Sequence, residues 1–205
     1  MKVVAVSQRV DLYPDRDEQR DTLDERLIEF LLSAGCLPIP VPNSLFVESP
    51  DGDTFAQWVA AIAPRAVVLS GGNDIGSFRS RDLTENSLLD YAEHNLLPTL
   101  GICRGMQMLG VRAGVELRAV VGHVRTRHTL TGEIVRDANS YHNHVLSACP
   151  TGFEVLARSA DGEIEAIRHQ TLPWEGWMWH PEREPAFASD DIDRLRKLLS
   201  DDRTD

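Results

Sequence analysis

No apolar run in these 205 residues approaches the roughly 20 needed to cross a bilayer. The opening "MKVVAVSQRV" passes straight into polar sequence, so it reads as a first β-strand rather than a leader peptide. Cysteine is scarce. Cys36, Cys103 and Cys149 cannot all pair, and their spacing suits neither a disulfide framework nor a zinc site. A reducing cytoplasm is therefore the expected setting, where a thiol stays available for chemistry. Repeats and low-complexity tracts are absent, which excludes fibrous and solenoid architectures. Positive charge is also short, with 21 Lys and Arg against 32 Asp and Glu and a net charge of −11. A general nucleic-acid or anionic-membrane surface is thereby disfavoured.

What positive charge there is clusters. From Arg104 to Arg136 six arginines (104, 112, 118, 125, 127 and 136) stand against two acids, Glu116 and Glu133, a local excess of four. Such an island is either a solvated face or the seat of an anionic ligand.

The first half of the chain alternates strand and helix signals. "KVVAVSQ" is a valine-rich strand, and "DTLDERLIEFLLSAG" follows with helical apolar spacing at Leu23, Leu27, Phe30 and Leu31. Asp21 or Thr22 is positioned to cap that helix, and Gly35 sits where a C-terminal glycine belongs. "CLPIPVP" is held extended by its prolines. "TFAQWVAAIA", "TENSLLDYAEHN" and "RGMQMLGVRAG" read as helices, with "RAVVLSGG" and "PTLGIC" as the strands between them. Alternation of this length predicts an open, mostly parallel sheet flanked by helices. After Gly114, short runs such as "GEIVRD", "FEVLARS" and "EIEAIRH" predict added antiparallel strands, and "DDIDRLRKLLS" predicts an amphipathic closing helix. No linker interrupts the chain, so residues 1–205 are expected to form one α/β domain of ordinary size.

Ligands of an open parallel sheet bind at the carboxyl ends of its strands, and three such ends carry unusual chemistry. "GICRG" (101–105) has the G-x-C-x-G pattern of a nucleophile elbow, with sulfur where a serine oxygen would be. Its tight turn needs small flanking residues, Gly101 and Gly105. It leaves Cys103 at a helix N-terminus, where dipole and free N–H groups favour thiolate. In "VVLSGGND" (67–74), Gly71 and Gly72 let bare backbone approach a reacting carbonyl. Preorganised donors of that kind lower a barrier by about 3–4 kcal/mol. The backbone N–H of Arg104, following the nucleophile, is the expected second donor. In "WMWHPERE" (177–184), His180 and Glu182 lie two residues apart. In an extended segment they point the same way, so Glu182 can orient His180 while His180 takes the Cys103 proton.

Taken together, "SGGND", "GICRGMQML", "NSYHNH" and "WHPE" resemble the class I glutamine amidotransferase family, in order and approximate spacing over nearly the whole chain. The resemblance implies a flavodoxin-like core and a Cys-His-Glu triad that hydrolyses a γ-glutamyl amide: Cys103 as nucleophile, His180 as base and then acid, Glu182 as its orienting partner. It implies an oxyanion hole from Gly72 and Arg104, with Gly71 as a substrate-binding residue. Gln107 would face the glutamyl head group, and the backbone of Ser140, Tyr141 and His142 would grip its α-carboxylate. The free-standing length and the "SGGNDI" form look more like the γ-glutamyl hydrolase branch than a synthetase-fused glutaminase. "VSQRV" (6–10) and "HVRTRH" (123–128) are similar to segments of enzymes that hydrolyse γ-glutamyl-CDP-amidate in capsular phosphoramidate synthesis.

His123, Arg125, Arg127 and His128 would then flank a nucleotide-bearing leaving group, since arginine forks suit phosphate oxygens. Four of the seven histidines fall between 123 and 144, but neighbouring arginines and the lack of a carboxylate cluster argue against a metal. No cofactor is expected. Cys36 and Cys149 have no elbow and no neighbouring base, and Trp174, Trp177 and Trp179 are expected to be packing residues. Three functions compete: a stand-alone hydrolase of a small γ-glutamyl substrate, a glutaminase subunit passing ammonia to a synthetase partner, and a catalytically inactive binding module. The presence of Cys103, His180 and Glu182 speaks against the last.

Overall fold

The computed structural model describes residues 1–46 and 54–200. Its frame is a nine-stranded sheet. Five strands run parallel, in the spatial order β4 (Cys36–Pro40), β1 (Lys2–Val6), β5 (Ala66–Leu69), β6 (Thr99–Ile102) and β13 (Trp174–Trp177). The sheet continues antiparallel through β12 (Ile164–His169), β11 (Phe153–Arg158), β8 (Val124–Gly132) and β9 (Arg136–Tyr141). This is the expected α/β architecture with antiparallel strands added in the second half.

β5 and β6 are buried along their whole length and β1 over Val4–Val6, which is why these strands read as near-continuous apolar runs, whereas the edge strand β4 is partly exposed. Val4 and Val6 of β1 and Ala66 and Val68 of β5 join one core, with Leu27, Phe30 and Leu31 of α1 (Glu25–Ser33) and Leu195 and Leu199 of α5 (Ser189–Leu199). The intervening Ala5, Val67 and Leu69 face the opposite core, as a two-residue period requires. There they meet Phe55 and Val59 of α2 (Thr54–Ile62), Leu88 and Leu89 of α3 (Arg79–His94), and Met106 and Leu109 of α4 (Arg104–Arg112). Burying each such side chain contributes about 1.5–3 kcal/mol. Trp174, Trp177 and Trp179 are all buried, and the last two stack with ring centroids 5.3 Å apart. Among the described residues no helix is long and apolar enough to cross a membrane.

Several local readings change. Asp24, not Asp21 or Thr22, caps α1, accepting from the Arg26 N–H at 2.9 Å. Asp21 is engaged elsewhere, accepting from the backbone and side-chain nitrogens of Asn43, each at 2.8 Å. The third helix begins already at Arg79, upstream of "TENS". "GEIVRD" is not one strand: it runs from the last residue of β8 through the connection at 133–135 into the start of β9, and "HVRTRH" lies mostly in β8. The polar stretch after β1 folds as a hairpin, β2 (Arg9–Tyr13) and β3 (Glu18–Thr22), turning at Asp17 with φ 51°. A second small pair, β7 (Leu117–Ala119) with β10 (His144–Leu146), completes the strands.

Candidate active site

The carboxyl ends of β5, β6 and β13 converge as the sequence pattern predicts. Cys103 sits between β6 and α4 as the helix N-cap, with φ 51° and ψ −103°. A non-glycine residue there carries strain on the order of 1–3 kcal/mol. The Cys103 N–H donates to the Trp177 carbonyl at 2.6 Å, fixing the elbow to β13. Both flanking glycines are required by space. A Cβ on Gly101 would lie 2.5 Å from the Gly105 carbonyl carbon, and one on Gly105 would overlap the Leu69 carbonyl of β5.

His180 leaves the end of β13 with extended backbone and lies buried in the cleft. Pro181 opens a single 3-10 turn, Pro181–Arg183, so Glu182 reaches His180 through a turn and not through the expected extended segment. Proline has the φ that a first helical position needs, and that decides the local geometry. The outcome is the same: Nδ1 of His180 is 2.6 Å from Oε1 of buried Glu182, which leaves Nε2 for Cys103. Burial pushes the imidazole pKa down, but the Cys103 sulfur and the Glu182 carboxylate outweigh it and raise it to about 9. The imidazolium is the favoured form in this pocket.

Gly71 packs against the His180 ring, where a Cβ would lie 2.6 Å from Cε1. Gly72 has φ 103°, a conformation open to glycine. The signal that sequence reasoning missed lies behind this pair. Arg81, fully buried in α3, donates to the Ser70 and Gly71 carbonyls at 2.8 and 2.9 Å. Because the peptide is trans, those carbonyls turn the Gly71 and Gly72 N–H groups away from Arg81. Arg81 is neutralised by Glu85 at 3.1 Å, and Glu85 also accepts from Ser7 at 2.9 Å and pairs with Arg104. The Arg104 side chain completes the set with Asp82 at 2.5 Å. One buried network of two arginines and two carboxylates thus binds the glycine loop to the first turn of α4. Burial, then Arg104, lowers Arg81 against the opposing pull of Glu85, to about 10, so it stays charged.

The "SYH" segment borders the same cleft. Asn139 of β9 brackets the His180 backbone, accepting from its N–H at 2.9 Å and donating to its carbonyl at 2.8 Å. Tyr141 meets the His180 ring edge-on with centroids 5.9 Å apart, and the Arg183 guanidinium covers the Tyr141 ring. Ser140 donates to the His123 carbonyl at 2.7 Å, and Gln107, one turn beyond Cys103, donates to the His144 carbonyl at 2.9 Å.

The expected leaving-group quartet does not form one face. β8 carries a bulge at Arg125, where φ is 54°, and the four side chains diverge. Arg125 and Arg127 are exposed, Arg127 pairing with Asp137 at 2.5 Å and Glu184 at 3.2 Å. His123 and His128 turn inward to meet His142 and Glu165. Glu165, supplied by β12, is the neighbouring carboxylate that the sequence reading did not find, and the two arginines do not crowd this cluster. Of the six arginines in the basic island, five pair with carboxylates from other segments, leaving Arg125 alone without an ion pair among the described residues. The island is thus mostly neutralised within the fold.

The family model for glutamine amidotransferase class-I matches residues 21–192. The chain is 31% identical over 126 residues to γ-glutamyl-CDP-amidate hydrolase of Campylobacter jejuni, covering 58% of this chain and 63% of the relative. It is 30% identical over 128 residues to the glutamine-hydrolysing GMP synthase subunit of Methanocaldococcus jannaschii, covering 58% and 64%. The match therefore spans less than two thirds of either relative's own length. In fold it is similar to a putative GMP synthase subunit of Thermoplasma acidophilum, with a TM-score of 0.71 at 19% identity over 97% of this chain and 92% of that one. With the family model running through the strand ends that carry Cys103, Gly71 and His180, this chain belongs to the class I glutamine amidotransferases.

Proposed function

We propose that the chain is a cysteine-dependent hydrolase that cleaves a γ-glutamyl amide through a thioester, with γ-glutamyl-CDP-amidate as its substrate. The observation that carries the chemistry is the His180 imidazole, held between the Cys103 sulfur and the Glu182 carboxylate with a pKa raised to about 9. The proton of the Cys103–His180 pair resides on Nε2 of His180, and the Cys103 sulfur attacks the γ-carbonyl carbon. The oxygen then becomes an oxyanion that accepts from the backbone N–H groups of Gly72 and Arg104. As the C–N bond breaks, the imidazolium returns the proton to the departing nitrogen, releasing the amine or phosphoramidate. His180 next takes a proton from water, whose oxygen attacks the thioester. Collapse releases glutamate and restores the thiol. Glu182 favours the imidazolium at each transfer and remains ionised throughout. Gln107 and the Ser140–His142 backbone would hold the glutamyl head group.

The likeness to the Campylobacter jejuni hydrolase supports a nucleotide-linked leaving group. Incubating the purified chain with γ-glutamyl-CDP-amidate, and separately with glutamine, tests this by glutamate release. Faster turnover of the nucleotide amide is expected. A second reading, a glutaminase subunit feeding ammonia to a synthetase, is favoured by the likeness to the glutamine-hydrolysing GMP synthase subunit. Negligible release from the nucleotide amide, with glutaminase activity appearing only beside a synthetase, would replace the first reading with the second.

A further inference from the structure

Away from Cys103, four side chains from distant parts of the chain converge on a point. His123 precedes β8 and His128 lies within it, His142 follows β9, and Glu165 belongs to β12. Nδ1 of His123 lies 3.4 Å from Nε2 of His142 and 3.4 Å from Oε1 of Glu165, and the last two are 3.5 Å apart. The ring of His128 lies tilted against that of His123 with centroids 4.1 Å apart, and one ligand atom from each of the four falls within 4.8 Å of every other. His123, His142 and Glu165 are almost wholly buried, and the Nε2 atom of His128 and Oε1 of Glu165 have no hydrogen-bond partner among the described residues.

Protons do not account for this arrangement. Nε2 of His123 is 2.8 Å from the Asp161 carboxylate, which accepts its N–H, and this tautomer presents a lone pair at Nδ1. That lone pair faces a buried carboxylate oxygen and another imidazole nitrogen. The separations exceed the roughly 2.7–3.2 Å of an N–H···O hydrogen bond. The three separations match the edges of a tetrahedron, and the His128 nitrogen lies within 4.8 Å of the other three to complete it. Ligands about 2.0–2.1 Å from a central zinc ion lie about 3.3–3.4 Å from one another. The Asp161–His123 pair is the outer carboxylate that fixes tautomer and orientation in histidine metal sites, and Ser159 holds Asp161 in turn at 2.5 Å.

We propose that His123, His128, His142 and Glu165 bind one zinc ion in a closed, structural tetrahedral site. Its role follows from the sheet. β8 pairs with β11 only at Thr131 and Gly132, so the β8–β9 ribbon is hydrogen-bonded to the main sheet at one end. The site ties the other end to β12, at Glu165, whose carbonyl accepts from Met178 at 2.8 Å, two residues before His180. Closing that end fixes Asn139, Ser140 and Tyr141 beside His180. Four protein ligands leave no open position, so the ion takes no part in the chemistry. The proposal is independent of which γ-glutamyl amide is cleaved.

The full chain, purified without added metal, should contain about one zinc per molecule by elemental analysis. After chelator treatment, cobalt(II) should develop the intense visible bands of a tetrahedral complex, and zinc should displace them. Zinc should also raise the melting temperature of the stripped protein. C103S should behave like the parent, because the thiol is not a ligand. H128A should abolish the cobalt bands. D161N keeps all four ligands, leaves a well-folded chain by circular dichroism, and should lose about 10–100-fold in zinc affinity. A stripped chain that gives no cobalt bands and melts at one temperature with or without zinc would overturn the site. So would loss of the metal in C103S, which would put the ion at the thiol instead.

Discussion

Gly71 and His180 touch so closely that the missing side chain of one makes room for the ring of the other. A methyl group on Gly71 would stand 2.6 Å from Cε1 of His180. Gly71→Ala should therefore displace the imidazole rather than the loop, because the loop's carbonyls are clamped by Arg81. Overpacking of this kind costs about 1–3 kcal/mol. A shift of an ångström at a reacting group lowers turnover by about 10²-fold. Steady-state kinetics should give a large fall in kcat with a modest fall in Tm; unchanged kcat would mean that the ring is not the proton carrier.

Glu182→Gln should leave the fold intact and reduce kcat/KM on the order of 10²–10⁴-fold. It should also reshape the pH profile. The imidazolium must protonate the departing nitrogen, so activity should fall as pH rises through about 9, the raised pKa of His180. Glu182 is one cause of that rise, and its neutral replacement should move the alkaline limb to lower pH. The same shift bears on stability. A raised folded-state pKa contributes fully below 6.5 and is lost as pH climbs through about 9. An unmoved limb in the variant would sink the assignment of Glu182.

A glutamine-mimicking electrophile should alkylate Cys103 and spare the other two thiols. Burial pushes the Cys36 thiol up, and it does the same for Cys149 despite that residue's overall exposure. The Cys149 sulfur is tucked against the Phe153 carbonyl at 3.4 Å. Equal labelling of all three by mass spectrometry would remove the case for a selective nucleophile.

Arg81→Met should be strongly destabilising, by about 3–5 kcal/mol in chemical denaturation, because it breaks a buried ion pair, leaves Glu85 with Arg104 as its one charged partner among the described residues and takes the donor from the Ser70 and Gly71 carbonyls. Arg81→Lys restores the charge but not the planar fork that holds two carbonyls at once. It should recover much of the stability while kcat stays depressed. Recovery of both together would reduce Arg81 to a structural role.

The leaving group is probed most cleanly at Arg125. Arg127 already pairs with Asp137 and Glu184, so its loss would loosen β9 as well. Arg125→Ala should raise KM for γ-glutamyl-CDP-amidate by about tenfold or more, the value of one charge-assisted hydrogen bond, and leave a small neutral γ-glutamyl amide unaffected. Equal effects on both substrates, or none on either, would remove Arg125 from the leaving-group site.

The sequence alone determined the parts of this protein whose physics is local. Two-residue and 3.6-residue apolar periods marked the parallel strands and helices, and Gly101, Cys103 and Gly105 announced an elbow because so tight a turn excludes side chains. Gly71, Gly72, His180 and Glu182 were legible for the same reason, each lying at the end of a strand whose direction was already known. Tertiary structure decided what depends on contacts between distant segments. Arg81, Glu85 and Asp82 look like an ordinary charged helix face until burial turns them into the support of the glycine loop. Arg125, Arg127, His123 and His128 form one polar run in sequence, but a bulge in β8 sends the arginines outward and the histidines inward. Glu165 joins those histidines from a strand in another part of the chain. Spacing cannot reveal such a cluster, because charge and donor atoms are shared only once the sheet has brought them within reach.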